Sequence, residues 1–188
     1  FRYRQAFRKG YISAIGAISS DELDADTDGL RGYFFGSGSF AVPSNFRLTF
    51  DIETVSDDEY LRDYGYTRKD RLDSHIGLWR FRRDELITAR ITNFETLRNE
   101  ERNETQPTLL TEVDYERLFF PTSIGGTLTL RFDAMAFYRE SDQISIGRDG
   151  NRVSGRLSYE RDWISQFGLL TEAAIALNYD SYRIEGED

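Results

Sequence analysis

The chain has no cysteine, one histidine, three prolines and no long apolar run. Without cysteine, disulfide frameworks, thiolate zinc sites and cysteine nucleophiles are excluded from its 188 residues. No apolar run approaches the ~18 residues of a membrane-spanning helix, and the mean hydropathy is -0.58. Lys and Arg together number 24 against 33 Asp and Glu, so the net charge is -9. Because binding to phosphates depends on Lys and Arg, we expect no nucleic-acid partner.

Apolar and polar residues alternate along most of the chain. The clearest run is residues 46–53, which read Phe-Arg-Leu-Thr-Phe-Asp-Ile-Glu. This period of 2 predicts a strand with one apolar and one polar face, and residues 127–138 repeat the pattern. No segment has a convincing helical period. The predicted strands are 1–8, 11–19, 30–42, 46–56, 71–82, 85–97, 110–119, 126–139, 152–162 and 168–183.

Short and long connections alternate strictly between these strands. The short connections are 9–10, 43–45, 83–84, 121–125 and 163–167, and the long ones are 20–29, 56–70, 98–109 and 140–151. Outer-membrane barrels have short periplasmic turns and longer extracellular loops. The sequence therefore predicts an all-β fold, an antiparallel meander of about ten strands that is part of a large outer-membrane β-barrel.

Charged residues recur in the middle of several predicted strands, on the polar face. Such charges are unusual inside a soluble sandwich and normal in a water-filled barrel lumen. We expect this face to line the path of a polar substrate. The predicted lumen-facing residues are Arg47, Asp51, Glu53, Arg90, Glu112, Asp114, Arg131, Asp133, Arg156 and Glu172.

Two further patterns concern the apolar face. Aromatic residues near strand ends are candidates for the two interfacial belts of a barrel, although aromatics are also common in any strand. They are Tyr11, Tyr33, Phe34, Phe35, Phe119, Phe120, Tyr138, Trp163, Phe167 and Tyr182. Segment 71–82 fits poorly, because Leu72, Ile76 and Leu78 share a face with Arg80. Its facing stays open from the sequence.

Two short motifs resemble parts of known ligand sites. Residues 24–29, Asp-Ala-Asp-Thr-Asp-Gly, match the start of an EF-hand loop, but the twelfth position is Phe35 instead of Glu. An EF-hand is excluded, and a solvated acidic loop is favoured over a weak surface cation site at Asp24, Asp26 and Asp28. Residues 36–41 are glycine-rich, but Pro43 and no helix follow. These small residues favour close approach of two strands, and no cofactor is expected.

His75 is the only histidine, so a Ser-His-Asp arrangement would need it together with Asp70 and Asp73. Outer-membrane proteases of the omptin type place a histidine and acidic residues at their outer rim. Proximity in sequence gives no catalytic geometry, and an ordinary strand-end histidine is the favoured interpretation. We therefore expect no enzyme.

Two loop motifs carry a family resemblance. Residues 55–64 read Val-Ser-Asp-Asp-Glu-Tyr-Leu-Arg-Asp-Tyr, and residues 105–115 read Thr-Gln-Pro-Thr-Leu-Leu-Thr-Glu-Val-Asp-Tyr. They resemble the motifs S-D-x-x-Y-[LF]-x-D-[FY] and Q-P…L-x-E-[VI]-D-Y in the barrel domain of LptD, the family of lipopolysaccharide-assembly or organic solvent tolerance proteins. The resemblance covers essentially the whole chain in collinear order. Thr111 departs from it, since proline is frequent at that position.

The resemblance implies a component of the lipopolysaccharide (LPS) translocon in the outer membrane of a Gram-negative bacterium, which inserts LPS into the outer leaflet. It implies a very large barrel of about 26 strands. Residues 1–188 are then a segment of the barrel domain, with the jellyroll domain and the remaining strands outside it. The expected partners are LPS, the plug lipoprotein LptE, the periplasmic LPS-transport bridge, which acts through the jellyroll, and membrane lipids.

Two other classes stay open, because alternation alone does not reveal what the apolar face contacts. One is a small closed outer-membrane barrel, either porin-like or an omptin-like protease. The other is a soluble all-β carbohydrate-binding module.

Overall fold

A computed structural model of the chain describes residues 1–20, 29–98, 101, 108–139 and 149–184. Every predicted strand is present, with bounds within two residues of those expected. The strands are β1 (Arg2–Phe7), β2 (Gly10–Ser20), β3 (Leu30–Val42), β4 (Phe46–Val55), β5 (Arg71–Arg82), β6 (Glu85–Thr96), β7 (Leu109–Phe119), β8 (Thr127–Tyr138), β9 (Gly150–Ile164) and β10 (Leu170–Ile184). The all-β prediction is confirmed.

The ten strands form one antiparallel sheet in chain order, from β1 at one edge to β10 at the other. The predicted meander is therefore confirmed. Among the described strands, β1 and β10 do not pair with each other, so the sheet is not closed. An open meander with two free edges is the expected shape of a part of a larger barrel.

The pairing register divides the side chains into two faces, since directly paired residues point to the same side of a sheet and neighbours along a strand alternate. One row across β6 to β9 contains Thr88, Asp114, Asp133 and Ser154. The adjacent row contains Ala89, Val113, Ala134 and Val153. We call the side of the first row the polar face and the side of the second row the apolar face.

The register also settles the facing of β5. Leu78 pairs with Leu48 of β4 and Ala89 of β6, which places it on the apolar face. Arg80 lies on the same face, close to the short turn that ends the strand. Trp79 lies on the polar face, where its ring is 5.5 Å from the Arg47 guanidinium. The charge that disturbed the sequence pattern is thus at the end of a strand.

The long loop after β4 has structure that the sequence did not predict. It contains the one-turn helix α1 (Tyr60–Asp63), in which Tyr60 and Leu61 are buried. A helix of one turn is too short to produce a helical period in the sequence, so the sequence predicted only a long polar connection here. Pro43–Asn45 forms a single 3-10 turn before β4. Among the described residues, no helix has the length and apolar character needed to span a membrane.

Glycine in β3 allows close contact with β4. Gly38 lies opposite Phe50, and a Cβ atom at position 38 would lie 2.5 Å from the Phe50 ring. The small side chains of β3 therefore make room on the apolar face for aromatic residues of the neighbouring strand.

Candidate functional site

The ten residues predicted to face the lumen all lie on the polar face. The register places Arg90 opposite Glu112, Asp114 opposite Asp133 and Arg131 opposite Arg156. Arg47, Asp51 and Glu53 of β4 and Glu172 of β10 have the matching alternation. The structure thus brings together residues from six strands. That this face borders a lumen stays a prediction.

Side chains on the polar face make exposed contacts across strands. Thr88 Oγ1 donates a hydrogen bond of 2.6 Å to Asp114, and Arg131 Nε donates one of 2.6 Å to Glu116. Arg152 pairs with Asp180 at 2.8 Å. Exposed pairs of this kind contribute only about 0–1 kcal/mol. Because they are weak, such groups can exchange their partners for the hydroxyls or phosphates of a passing ligand.

A groove of about 390 Å³ lies in the middle of the polar face. Its lining includes Trp79, Thr88 and three of the predicted lumen residues, Arg90, Glu112 and Asp114. An aromatic ring beside charged groups of both signs suits a polar ligand with apolar C–H surfaces, such as a saccharide.

A second cavity, of about 700 Å³, lies on the same face near the long loops. Its floor is apolar and consists of Phe94, Leu110 and Phe137. The guanidinium of Arg71 lies 4.7 Å from the Phe94 ring, and that of Arg139 lies 4.9 Å from the Phe137 ring. Sequence reasoning missed this cavity, because residues from several strands and loops form it and no local motif marks it.

The loop at residues 56–70 packs against the sheet near its long-loop end. Tyr60 is fully buried, and its hydroxyl accepts a hydrogen bond of 3.3 Å from Ser19. Tyr33 of β3 is 4.6 Å from the Tyr66 ring and 6.2 Å from the Tyr60 ring. Leu72 and Leu97 are also buried in this cluster. The loop therefore packs at the long-loop end of the sheet, against Tyr33 of the polar face and against Leu72, which the register places on the apolar face.

Charged contacts hold the same loop in place. Arg31 of β3 donates hydrogen bonds of 2.9 and 2.6 Å to the two oxygens of Asp57, and a third of 3.0 Å to Asp63. Lys69 forms an ion pair with Glu53, whose carboxylate also accepts the Asp73 amide at 3.2 Å. Glu53, predicted to line the path, thus also serves to anchor this loop.

Of the aromatic residues expected in two belts, eight lie in strands and are split between the faces, and Phe120 and Phe167 lie between strands. Phe34, Phe119, Tyr138 and Trp163 lie on the apolar face. Tyr11, Tyr33, Phe35 and Tyr182 lie on the polar face. The second group does not fit a lipid-facing belt. A position near a strand end does not determine the face, because neighbouring residues of a strand point to opposite sides of the sheet. Tyr33 and Phe35 instead contact each other at 5.0 Å beside the loop core.

Residues 29–188 match the sequence family described as LptD, LPS transport system D. The chain belongs to the LptD family. Members of this family are outer-membrane components of LPS transport, and the family is not one of enzymes. The match includes β3 to β10 and both loop motifs that carry the resemblance. Comparison with curated proteins gives no match.

Two further candidates from the sequence were the acidic loop and the single histidine. Asp24, Asp26 and Asp28 lie outside the described residues. Within the described residues, no group of three or more His, Asp or Glu side chains has the arrangement of a metal site. His75 lies inside β5, opposite Asp51 and Thr92, and is not at the strand end.

The Arg31–Asp57 contact makes the packing of the loop at residues 56–70 sensitive to pH. Hydrogen bonds from Arg31 lower the pKa of Asp57 from 3.8 to about 2. A lowered pKa means that the stabilisation is complete above pH 3.8 and is lost as the pH falls towards 2. We expect pepsin to cleave residues 56–70 faster at pH 2 than at pH 4. An Asp57→Asn variant is expected to be cleaved quickly at both values, and equal pH dependence in the two proteins would contradict the prediction.

Proposed function

We propose that this chain forms part of the wall of the LPS translocon, which inserts LPS into the outer leaflet. The supporting observation is the continuous two-faced sheet, with charged rows on one side and apolar rows on the other. LPS has the same division, since it joins a polar saccharide to acyl chains. The saccharide passes along the polar face while the acyl chains stay with lipid, and no covalent bond changes.

The arrangement of the polar face supports passage rather than tight binding. The central groove and the larger cavity follow one another towards the long loops, from Arg90 to Phe94 on β6 and from Glu112 to Leu110 on β7. Charges of both signs line this route, and the exposed ion pairs among them, Arg98 with Asp70 and Arg98 with Glu101, are weak. Conduction requires sites that bind well enough to admit a substrate and weakly enough to release it.

The proposal includes the domain arrangement and the partners. Residues 1–188 form a segment of the barrel domain, and further strands pair with the free edges of β1 and β10, because unpaired backbone groups are costly in lipid. LPS arrives from the periplasmic transport bridge through a jellyroll domain, and the lipoprotein LptE plugs the lumen. The transport machinery elsewhere supplies the energy.

Site-specific photo-cross-linking in cells tests the proposal. A photoreactive amino acid is placed at Asp133 on the polar face or at the next residue, Ala134, on the apolar face. We expect Asp133 to capture LPS during transport, and Ala134 to capture phospholipid, because neighbouring residues of a strand face opposite sides. Blocking LPS synthesis should remove only the product at Asp133. Equal capture of LPS at both positions, or capture at Ala134 alone, would contradict the proposed path.

A further inference from the structure

Three arginines converge on two carboxylates at the short-turn end of the apolar face. We call Arg80, Arg82, Asp84, Glu85 and Arg117 the rim cluster. Arg82 is the last residue of β5 and Glu85 is the first of β6, so the cluster lies where the strands end. The register places Arg82, Glu85 and Arg117 in one row with Leu130, on the apolar face.

The ion pairs of the rim cluster leave one cation in excess. Glu85 is nearly buried, and its two oxygens lie 2.7 Å from Arg80 and 3.0 Å from Arg117. Arg117 also pairs with Asp84 at 3.0 Å. Arg82 is 3.9 Å from the oxygen that Arg80 occupies, and 42% of its side chain is exposed. Three positive charges thus meet two negative ones, and Arg82 is the accessible charge.

Aromatic and backbone groups hold the guanidinium groups at this rim. The Arg80 guanidinium lies 4.3 Å from the centre of the Phe46 ring, and that of Arg117 lies 5.9 Å from the centre of the Phe119 ring. Arg80 and Arg82 both donate to the Ser44 carbonyl, at 3.4 and 3.3 Å. A guanidinium beside an aromatic ring, with its fork partly exposed, is suited to bidentate contact with a phosphate.

Charge differs between the two ends of the sheet. The long loops, at 21–29, 56–70, 97–108 and 139–149, contain 16 acidic and seven basic residues. The short turns at 8–9 and 83–84 contain three basic residues and one acidic residue. Anionic headgroups are therefore favoured at the short-turn end, where charges near the membrane surface attract them.

We propose that the rim cluster binds the phosphate of an anionic phospholipid in the leaflet at the short-turn end. This inference rests on the proposed function, in which the apolar face contacts lipid. In the low dielectric of an interface, an unneutralised guanidinium requires an anion, and the lipid phosphate is the anion available at that depth. Arg82 contacts the phosphate directly, and Arg80 stays paired with Glu85.

Lipid retention by the full-length protein tests the site. The protein is placed in nanodiscs with equal amounts of phosphatidylglycerol and phosphatidylcholine of the same acyl chains, extracted into mild detergent, and its bound lipids are counted by native mass spectrometry. We expect the wild type to retain phosphatidylglycerol preferentially. In the double variant Arg82→Gln/Arg117→Gln, we expect the preference for phosphatidylglycerol to fall about fivefold for each arginine removed.

Two variants serve as controls. Arg2→Gln/Arg4→Gln removes the same charge from the polar face and is expected to keep the wild-type preference. Arg82→Lys/Arg117→Lys keeps the charge and the pairing of Glu85, so it guards against misfolding. It should recover only part of the preference, because lysine lacks the planar fork.

The total amount of bound lipid and the preference between the two lipids separate failure of this inference from failure of the proposed function. If the wild type retains both lipids equally, or if the Gln variant keeps its preference, the phosphate site is overturned while the lipid-facing surface stands. If the wild type retains almost no lipid of either kind, the apolar face does not contact the membrane, and both proposals are overturned.

Discussion

An arginine at position 134 is expected to destabilise the protein by about 2–4 kcal/mol, against about 0–1 kcal/mol for an arginine at position 135. Ala134 lies near the middle of β8 on the apolar face, in a row with Val113 and Val153. Met135 follows it on the polar face, between Glu112 and Arg152. The difference arises because only the first substitution places a charge in hydrocarbon.

The measurement is reversible urea unfolding of the full-length protein in lipid, for Ala134→Arg and Met135→Arg in parallel. Both variants introduce the same side chain at neighbouring positions of one strand, and Ala134→Met controls for the larger volume that is added at position 134. Equal losses of unfolding free energy would show that both faces have the same surroundings. A larger loss at position 135 would reverse the assignment of the faces.

Replacement of Tyr60 by alanine is expected to release the loop at residues 56–70 from the sheet. Tyr60 is fully buried, and its ring contacts Tyr33, Tyr64 and Tyr66. Loss of a buried aromatic side chain costs about 3–5 kcal/mol, which is large for a loop held by this cluster and a few ion pairs. The ten-stranded sheet is expected to remain intact, since the loop is not part of the strand pairing.

Trypsin gives a direct readout, because Arg62, Arg68 and Lys69 lie in this loop. We expect Tyr60→Ala to be cleaved there much faster than the wild type. The control is Tyr60→Phe, which keeps the ring and loses only the hydrogen bond from Ser19, worth about 1 kcal/mol. If Tyr60→Ala resists trypsin as the wild type does, the tyrosine cluster does not hold the loop.

Much of the fold was predictable from the sequence, for a local reason. Period 2 is written into consecutive residues, so strands β4 and β8 and the opposite facing of Phe50 and Asp51 follow without any tertiary contact. Turn length then determines that neighbouring strands pair in chain order. The same alternation placed all ten candidate path residues on one face.

The packing of the loop at residues 56–70 was not predictable from the sequence, because its contacts join residues far apart in sequence. Nothing near Asp57 indicates that Arg31 will bind it, and nothing near Tyr66 indicates that Tyr33 will. The cavity above Phe94 and Phe137 has the same origin. Each contact depends on the register of strands and on how one loop folds back over them.

The sequence by itself determined the strands, the two faces of strands such as β4 and β8, the order of short and long connections, and the LptD family motifs. The tertiary structure alone decided which charges neutralise one another and which side chains are buried. In the folded protein, Arg80 and Arg117 both pair with the Glu85 carboxylate, and Arg82 stays partly exposed beside them. Alternation is a property of one strand, whereas pairing and burial depend on distances between strands, and those distances exist only after the sheet has formed.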